Sequence, residues 1–521
     1  MRYNPDKSLP LLSTRPEHKH MNRTRLLLPF FRRSADRCLA AADDAEATQK
    51  RVLRQLVYDA KHTIWGKLNR FDTISSYNEF CDQVPQGTYP TLRPYVMRMI
   101  AGEKDVLWRG KTTRFAQSSG TSDGKSKFIP ITEDALQKCH FKGASYSLAL
   151  YLRSYPDSRI FDGKSFILGG SYANELKLEN NKAKVGDLSA TLIDCINPLV
   201  NLVRVPSKKV ALMEDWHQKL PALVRASAYE NVTNISGVPS WFLKVLQEIL
   251  SYRSKESIHE VWENLEVFFH GGISFAPYKK EYEHITDPSK MRYWENYNAS
   301  EGFFAAQSAP EDSSMLLMTD IGMFYEFIPV ESPSSAPVPV WELQKGKKYA
   351  LLISGCNGLW RYPIGDVVKV ESLNPVKITI AGRTKSYINA FGEEVMVHNT
   401  DAAVANACAK CGCAVKDYTV APVYTHDGKK GCHQWLVEFA RPPRDIDGFA
   451  EELDKALQNE NSDYQAKRSG NIFLDSLTID IARPGLFDDW LESTGKLGGQ
   501  RKIPRLSNDR KNIESMLSLN N

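Results

Sequence analysis

The segment from Ser118 to Lys127 has the composition of a phosphate-binding loop. Its ten residues, SSGTSDGKSK, offer hydroxyl groups, two glycines and two lysines, and include no large apolar side chain. Such residues let backbone N–H groups, hydroxyls and ammonium groups approach a polyphosphate without steric obstruction. A flexible surface loop rich in serine and glycine has the same composition, so the interpretation depends on the rest of the chain.

The loop differs from a Walker A motif in its length. A Walker A motif places four residues between its first glycine and the Gly-Lys-Ser/Thr triplet. Here residues 121–123 alone separate Gly120 from Gly124, and Ser119 stands where the first glycine is required. A P-loop NTPase, which cleaves ATP to ADP, is therefore the weaker interpretation of this loop.

Two further segments offer groups that suit a nucleotide. Gly271 and Gly272 follow the apolar run 267–269, and paired glycines at a strand end let a flat ligand approach the backbone. Glu301 lies in the Ser/Gly-rich stretch 297–302, and Mg²⁺ typically takes one or two protein carboxylates plus phosphate oxygens. A tight turn and a solvated glutamate are the simpler interpretations of each segment alone.

Two more segments follow in the second half of the chain. Asp366 stands at the end of a glycine turn before an apolar strand, where a carboxylate can accept both ribose hydroxyls, although Gly-Asp is also common turn chemistry. The basic stretch 382–389 lies at a change of sequence texture and is typical of a hinge, in which few residues absorb a large backbone change. An ordinary linker turn is the alternative for that stretch.

In this order, the segments resemble those of the adenylate-forming superfamily of acyl-CoA synthetases, peptide-synthetase adenylation domains and luciferases. The finer resemblance is to the auxin-responsive Gretchen Hagen family of acyl-acid amido synthetases. That family's phosphate loop, S-S-G-T-S-x-G-x-x-K, fits residues 118–127 at every fixed position. Its Tyr-x-x-Ser-Glu segment fits Tyr297, Ser300 and Glu301. The resemblance covers about residues 21–510.

Two other family segments complete the resemblance. The Tyr-Arg-x-Gly-Asp segment is matched at Tyr362, Gly365 and Asp366, but Pro363 replaces the arginine and Arg361 is a candidate substitute for it. The Gln-x-Lys-x-Pro-Arg segment fits residues 500–505 and implies that a C-terminal lysine, Lys502, enters the active site. Lys496 is a weaker candidate for that role.

The resemblance implies a role for each matching residue. Glu301 is expected to hold Mg²⁺, Lys502 to offset charge on the α-phosphate, and Lys385 to serve as the hinge. The residues expected to bind the ATP phosphates are Ser118, Ser119, Gly120, Thr121, Ser122, Gly124 and Lys127. The residues expected to bind adenine and ribose are Gly271, Gly272, Tyr297, Ser300, Asp366 and Arg383.

The implied function is a two-step ligation that uses ATP and Mg²⁺. A small carboxylic acid would attack the α-phosphate, giving an acyl-adenylate and pyrophosphate, and an amino acid would then attack the acyl group to form an amide. Coenzyme A as acceptor, or a nucleotide-binding homologue without catalysis, are the alternatives. The sequence indicates neither the acid, nor the amine, nor the base that deprotonates the amine.

Composition excludes other classes of protein. The formal net charge of +5 is small beside 67 basic and 62 acidic side chains, so no nucleic-acid or membrane partner is implied. No apolar run approaches the roughly 18–20 residues that span a bilayer. Nine cysteines, an odd and mostly scattered set, suit reduced thiols in the cytoplasm. We expect a monomer.

The expected fold is a large α/β domain with a β subdomain, followed by a small α+β lid domain beyond a hinge. Residues 1–20 should be disordered, 21–383 should form the acid- and ATP-binding domain, and 384–521 the lid, with Met21 an alternative start. Apolar residues from Leu53 to Ile64 predict one helix. Other helices are predicted near 134–152, 239–252, 399–411 and 447–458, alternating with short strands.

Cysteines near residue 410 raise the question of a zinc site. Cys408, Cys411 and Cys413, with His433 further along, could ligate zinc. However, Ala403, Ala407 and Cys411 also fall at helical spacing, with Val404 and Cys408 on the adjoining row. Small residues that pack a helix therefore explain the cluster more simply.

Overall fold

The structure is a computed structural model that describes most of the chain. Predictions about the disordered N-terminus, about Ser119, Gly120, Thr121, Ser122 and Gly124, and about Lys385 and Lys496 fall outside the described residues. The residues that the structure describes are 22–118, 127–172, 183–272, 275–276, 278–383, 387–388, 390, 393, 395–423, 431–461, 464–465, 468, 474–494 and 502–520.

Helices dominate the first hundred described residues and recur between the strands. The α-helices are α1 (Arg23–Asp43), α2 (Ala45–Ala60), α3 (Ile64–Leu68), α4 (Tyr77–Gln83), α5 (Tyr89–Ile100), α6 (Lys142–Ser154), α7 (Leu188–Cys195), α8 (Pro198–Leu202), α9 (Lys208–Ala211), α10 (Trp216–Ser227), α11 (Pro239–Arg253), α12 (Lys279–Ile285), α13 (Val397–Cys411), α14 (Ile446–Glu460), α15 (Leu486–Ser493) and α16 (Lys511–Leu519). A π-helical segment, Ala135–Phe141, leads into α6, and single 3₁₀ turns lie at Phe71–Thr73, Ile258–Glu260 and Val340–Glu342.

Within the described residues, the strands fall into four sheets. They are β1 (Arg114–Ser118), β2 (Lys127–Pro130), β3 (Lys164–Ile167), β4 (Lys184–Gly186), β5 (Arg204–Val205), β6 (Val232–Gly237), β7 (Val267–Gly271), β8 (Arg292–Ala299), β9 (Gly302–Gln307), β10 (Met315–Leu317), β11 (Met323–Pro329), β12 (Val338–Pro339), β13 (Lys348–Gly355), β14 (Tyr362–Leu373), β15 (Val376–Arg383), β16 (Tyr387–Ile388), β17 (Val395–Met396), β18 (Ala414–Val423), β19 (Cys432–Arg441) and β20 (Thr478–Ala482).

One long mixed sheet organises residues 164–383. Its strand order is β12-β11-β13-β14-β15-β10-β9-β8-β7-β6-β3-β5, twelve strands in all. Strands β5, β3, β6, β7 and β8 run parallel, and every pairing from β8 to β12 is antiparallel. The predicted β subdomain is therefore continuous with the main sheet, through the pairing of β10 with β15. In such a sheet, ligands bind at the carboxyl ends of the parallel strands.

Two helical layers cover the parallel half of the sheet. Alternate side chains of a strand face opposite sides, so neighbouring residues of β7 and β8 enter different cores. On one side Trp294 packs edge-on against Tyr151 of α6, with ring centroids 5.5 Å apart. On the other side Phe268 packs against Phe242 of α11 and Tyr282 of α12. Strands β7 and β8 are therefore packed between two helical layers, which hold them in place.

The helix expected from Leu53 to Ile64 is two helices. Helix α2 ends at Ala60, and Thr63 caps α3 by accepting a hydrogen bond from the Gly66 amide. Gly66 lies so close to α2 that a methyl group on it would be 2.2 Å from the Ala60 carbonyl oxygen. The apolar residues do fall at helical spacing. However, the threonine cap and the close approach of Gly66 to α2 end one helix and start another.

Residues 387–520 contain cores of their own. One core lies between α13, α14 and the β18–β19 hairpin, and another joins α15, α16 and Ile503. We call this part the C-terminal region and residues 22–383 the N-terminal region. The α/β fold expected from the sequence is confirmed, whereas the hinge and the lid remain predictions. Among the described residues, no helix is both long and apolar enough to cross a membrane.

Candidate active site

The two ends of the predicted phosphate loop are joined by a strand pair. Ser118 ends β1 and lies opposite Lys127, the first residue of antiparallel β2. The apolar Phe128 and Ile129 of β2 are buried and anchor that strand in the core. The loop 119–126 therefore starts and ends at one place in the fold.

Lys127 connects this hairpin to the strand that carries Asp366. Its ammonium group donates a hydrogen bond to the Tyr362 hydroxyl at 3.2 Å, where Tyr362 is the first residue of β14. The same ammonium lies 5.9 Å from the ring centre of Tyr89 and 5.7 Å from that of Tyr362. Two aromatic rings thus fix a half-buried cation beside the loop.

Strand β7 ends at Gly271, at the carboxyl edge of the parallel strands, and Gly272 follows it directly. A methyl group on Gly271 would lie 2.3 Å from the Asn296 carbonyl oxygen, so only glycine fits between β7 and β8. Gly272 has a φ of +82°, which turns the chain out of the sheet. Neither glycine has a side chain that would obstruct the approach of a flat ligand to the backbone.

Glu301 lies in the two-residue turn between β8 and β9. Glu301 and Ser300 are buried, and Asn357 donates a hydrogen bond to the Glu301 carbonyl oxygen at 2.7 Å. A single enclosed carboxylate is the kind of donor that Mg²⁺ uses together with phosphate oxygens, so the turn fits the predicted ion.

Tyr297, Asp366 and Arg383 lie together across three strands. The Tyr297 hydroxyl donates a 2.7 Å hydrogen bond to the Asp366 carboxylate, and Arg383 of β15 pairs directly with Asp366 of β14. Asp366 was expected before a strand but lies inside β14. Gly365, with a φ of +87°, bends the strand instead of ending it.

Arg361 does not replace the missing arginine of the family segment. Its guanidinium is buried and contacts both carboxylate oxygens of Glu326, with a shortest distance of 2.8 Å. It also donates to the carbonyl oxygens of Cys81 and Val84. Pro363, at the family's arginine position, is exposed. The expectation that Arg361 acts as the substitute is wrong, because its side chain is committed to the core.

Replacing Arg361 with alanine is therefore expected to lower the free energy of unfolding by about 3–5 kcal/mol, because the variant leaves Glu326 buried without its partner. Denaturant unfolding measures this loss. The double variant Arg361→Met with Glu326→Leu removes both charges and should recover most of the stability. Unchanged stability in Arg361→Ala, with weakened ATP binding, would contradict this structural role.

The segment that carries Lys502 is held against the β18 strand. Thr419 donates a hydrogen bond to the Pro504 carbonyl at 2.6 Å, the Val420 amide donates to the Arg505 carbonyl at 2.9 Å, and Ile503 is buried. Lys502 itself is exposed and extends towards the N-terminal region. A methyl group on Gly272 would lie 3.6 Å from its ammonium nitrogen. The structure thus brings Lys502, 230 positions away in sequence, to the glycine turn.

Glu295 is a carboxylate that sequence reasoning missed. It lies on β8 in register with His270 on the neighbouring parallel strand, one residue before the glycine turn. Burial raises the pKa of the Glu295 carboxyl to about 7 and lowers the pKa of the His270 imidazole to about 3. His270 Nδ1 is buried without a hydrogen-bond partner among the described residues. A glutamate directly after Trp294, in a strand that pairs with the segment before the paired glycines, was the available signal.

The zinc interpretation finds no support in the described part of the chain. Cys408 is buried in α13 among Ala403, Val404 and Ala407. His433 pairs through Nε2 with the buried carboxylate of Glu393 at 2.8 Å. No group of three or more His, Cys, Asp or Glu residues within the described ranges is arranged to hold a metal ion.

Comparison with known proteins identifies the family. The GH3 family N-terminal domain matches residues 35–291, the central domain matches residues 316–383 and the C-terminal domain matches residues 398–511. The chain belongs to the GH3 family. The resemblance drawn from the motifs is thereby confirmed, since Gretchen Hagen is the name that GH3 abbreviates.

Curated GH3 relatives are distant in sequence. The chain is 24% identical over 398 residues to jasmonoyl–L-amino acid synthetase JAR4 of Nicotiana attenuata, covering 64% of this chain and 67% of that one. It is 23% identical over 543 residues to the probable indole-3-acetic acid-amido synthetase GH3.1 of Arabidopsis thaliana, covering 89% and 90%. Such identity leaves room for a different acid or amine.

Solved structures share the GH3 fold. The acyl acid amido synthetase AtGH3.15, in complex with 2,4-DB, superposes with a TM-score of 0.76 at 19% identity, covering 93% of this chain and 96% of that one. A 2-hydroxyisobutyryl-CoA ligase in its postadenylation state gives a TM-score of 0.55 at 12% identity, covering 92% of each chain. The fold of this GH3 chain is therefore that of adenylate-forming ligases.

Proposed function

We propose that the protein is an ATP-dependent acyl-acid amido synthetase, a ligase that adenylates a small carboxylic acid and passes the acyl group to an amino acid. The observation that carries the proposal is the approach of Lys502 to the Gly272 turn, in a chain of the GH3 family. That contact brings a cation from the C-terminal region to the edge at which the N-terminal region gathers its candidate nucleotide-binding groups.

In the first step, the chain's own residues position ATP for attack by the acid. Lys127 and the loop 119–126 contact the phosphates, and the Tyr297–Asp366 pair receives the ribose hydroxyls, with Arg383 alongside. Glu301 would hold Mg²⁺, which would neutralise phosphate charge. Lys502 stabilises the charge that grows on the α-phosphate as the carboxylate attacks. Positioning and electrostatic stabilisation supply most of the rate in such a reaction.

In the second step, an amine attacks the acyl carbonyl and must lose a proton. We assign that proton to the Glu295 carboxylate, which lies beside the glycine turn. A base with a pKa of about 7 is half-ionised near neutral pH, where general-base catalysis is most effective. His270 is neutral at that pH and can accept a hydrogen bond through one ring nitrogen while it donates through the other.

Coenzyme A is the second candidate acceptor, since a CoA ligase shares the fold. A pyrophosphate-exchange screen over aryl and alkyl acids identifies the acid, and product analysis with each amino acid or with coenzyme A identifies the acceptor. Amide and AMP formed without any thiol support the amido synthetase. AMP formed only with coenzyme A would contradict it, and no exchange with any acid would indicate an inactive homologue.

We further propose that residues 384–386 form a hinge on which the C-terminal region moves as a lid between the two steps. Glu393, just beyond this segment, contacts His433 inside the C-terminal region, and this contact supports a joint that precedes Glu393. We place the protein in the cytoplasm, because all nine cysteines are free thiols. A monomer remains our expectation.

A further inference from the structure

Arg505, three residues after Lys502, is the centre of a charged cluster in the C-terminal region. Its Nη1 lies 3.0 Å from the Asp401 carboxylate and its Nη2 lies 3.1 Å from the Asp417 carboxylate. The guanidinium carbon lies 4.3 Å from the ring centre of Tyr418, whose hydroxyl donates to Asp401 at 2.6 Å. Two carboxylates and one aromatic face therefore fix the orientation of Arg505.

The same guanidinium also reaches across to the N-terminal region. Its Nη2 donates a hydrogen bond to the Tyr278 hydroxyl at 3.1 Å. Tyr278 is 3% exposed and directly precedes α12, six positions after Gly272. Arg505 and Tyr278 therefore join the two regions next to the place where Lys502 approaches the glycine turn.

This contact differs from the ion pairs of the cluster in how easily it can be broken. Asp401 and Asp417 keep the guanidinium paired inside the C-terminal region whether or not Tyr278 is present. Separation of the regions therefore leaves no buried charge without a partner, which is the costly outcome for an ion pair. Loss of a neutral hydroxyl partner costs much less, so the contact can form and break during turnover.

A second polar contact between the regions is much weaker. His217 of α10 lies 3.9 Å from Glu492 of α15, and both side chains are more than half exposed. Exposed pairs at this distance are screened by water and contribute little. Unlike that pair, the bond from Arg505 to Tyr278 is directional and largely shielded from water.

We propose that the Arg505–Tyr278 hydrogen bond is a latch that holds the C-terminal region in the arrangement which presents Lys502 to the Gly271–Gly272 turn. Tyr278 is thus a positioning residue for adenylation, and the latch must open before the amine step if the region moves between the two. The proposal rests on the proposed function, because it assigns Lys502 to the first step.

The variant Tyr278→Phe tests the latch with the loss of one oxygen atom. We expect the kcat of pyrophosphate exchange to fall about tenfold, with the KM values for ATP and acid unchanged, because the hydroxyl bonds to a charged group that binds neither substrate. Aminolysis of a supplied acyl-adenylate should proceed at the wild-type rate or faster. The matched control is Tyr282→Phe, which removes a buried hydroxyl that donates to the Pro239 carbonyl within the N-terminal region.

The outcomes separate the latch from a general loss of stability. Three results would each overturn the latch. In Tyr278→Phe, the rates of exchange and aminolysis could fall equally, or the rate of exchange could stay unchanged. In Tyr282→Phe, the rate of exchange could fall as far as it does in Tyr278→Phe. Small-angle scattering of the ligand-free proteins gives a second readout without chemistry: Tyr278→Phe should be more extended than wild type, and Tyr282→Phe should not. If wild type exchanges with no acid, the proposed function fails, and scattering alone still decides the latch.

Discussion

Replacing Lys502 with alanine is expected to lower the kcat of pyrophosphate exchange by about a hundredfold to a thousandfold, because the variant removes a cation aimed at charge that develops in the transition state. The KM values for ATP and acid should change little, since the cation acts on charge that develops only in the transition state. Initial rates of exchange over a range of substrate concentrations measure both quantities.

The control for this prediction is a second exposed lysine of the C-terminal region. Lys511 lies at the start of α16, and Lys511→Ala should exchange at the wild-type rate. Lys502→Arg keeps the charge on a longer, planar group and should recover part of the lost rate. Wild-type exchange in Lys502→Ala would remove Lys502 from the first step.

The second large effect is expected from Glu295→Gln. The amide-forming step should slow by about a hundredfold or more, because a positioned general base contributes that much, while pyrophosphate exchange should be nearly unchanged. In wild type the rate of this step should rise as the pH passes through about 7, the pKa of the buried carboxyl. In the variant that rise should disappear. Rapid-quench measurement of amide from preformed acyl-adenylate provides the rates.

The raised pKa of Glu295 also makes a prediction for stability. Burial favours the protonated carboxyl in the folded state. The contribution of this carboxyl to the free energy of unfolding is therefore fully present below the unfolded pKa of about 4.5, and it is lost as the pH rises through about 7. Glu295→Gln should therefore gain stability relative to wild type above neutral pH.

An amide step that keeps its rate and pH dependence in Glu295→Gln would assign the proton to another group.

The candidate nucleotide-binding groups could be selected from sequence because each combines a distinctive residue type with a local turn. Gly271 and Glu301 follow strand and hairpin signals that depend on nearby residues. Asp366 is a candidate that the sequence provides, but its position inside β14 depends on the positive φ of Gly365 and on pairing with β13 and β15. Local signals predicted which residues to consider, and long-range pairing determined how they are arranged.

Other features depend on contacts that sequence spacing does not encode. Arg361 lies near Asp366 in the chain, yet its guanidinium is directed into the core because Glu326, on β11, provides a buried carboxylate. Tyr278 belongs to no motif, and its importance follows from a contact with Arg505, which is distant in sequence. The break before Ile64 follows from the close approach of Gly66 to α2, which apolar periodicity cannot reveal.

Isotopic labelling of the acid's carboxylate oxygens tests the central claim, formation of an acyl-adenylate on the way to an amide. When both oxygens are labelled, amide formation should leave one label in the phosphate of AMP and one in the amide carbonyl, since the carboxylate attacks the α-phosphate and the amine displaces AMP. Mass spectrometry of AMP and amide from a single turnover measures this transfer. Label in inorganic phosphate, with ADP as the nucleotide product, would contradict the account.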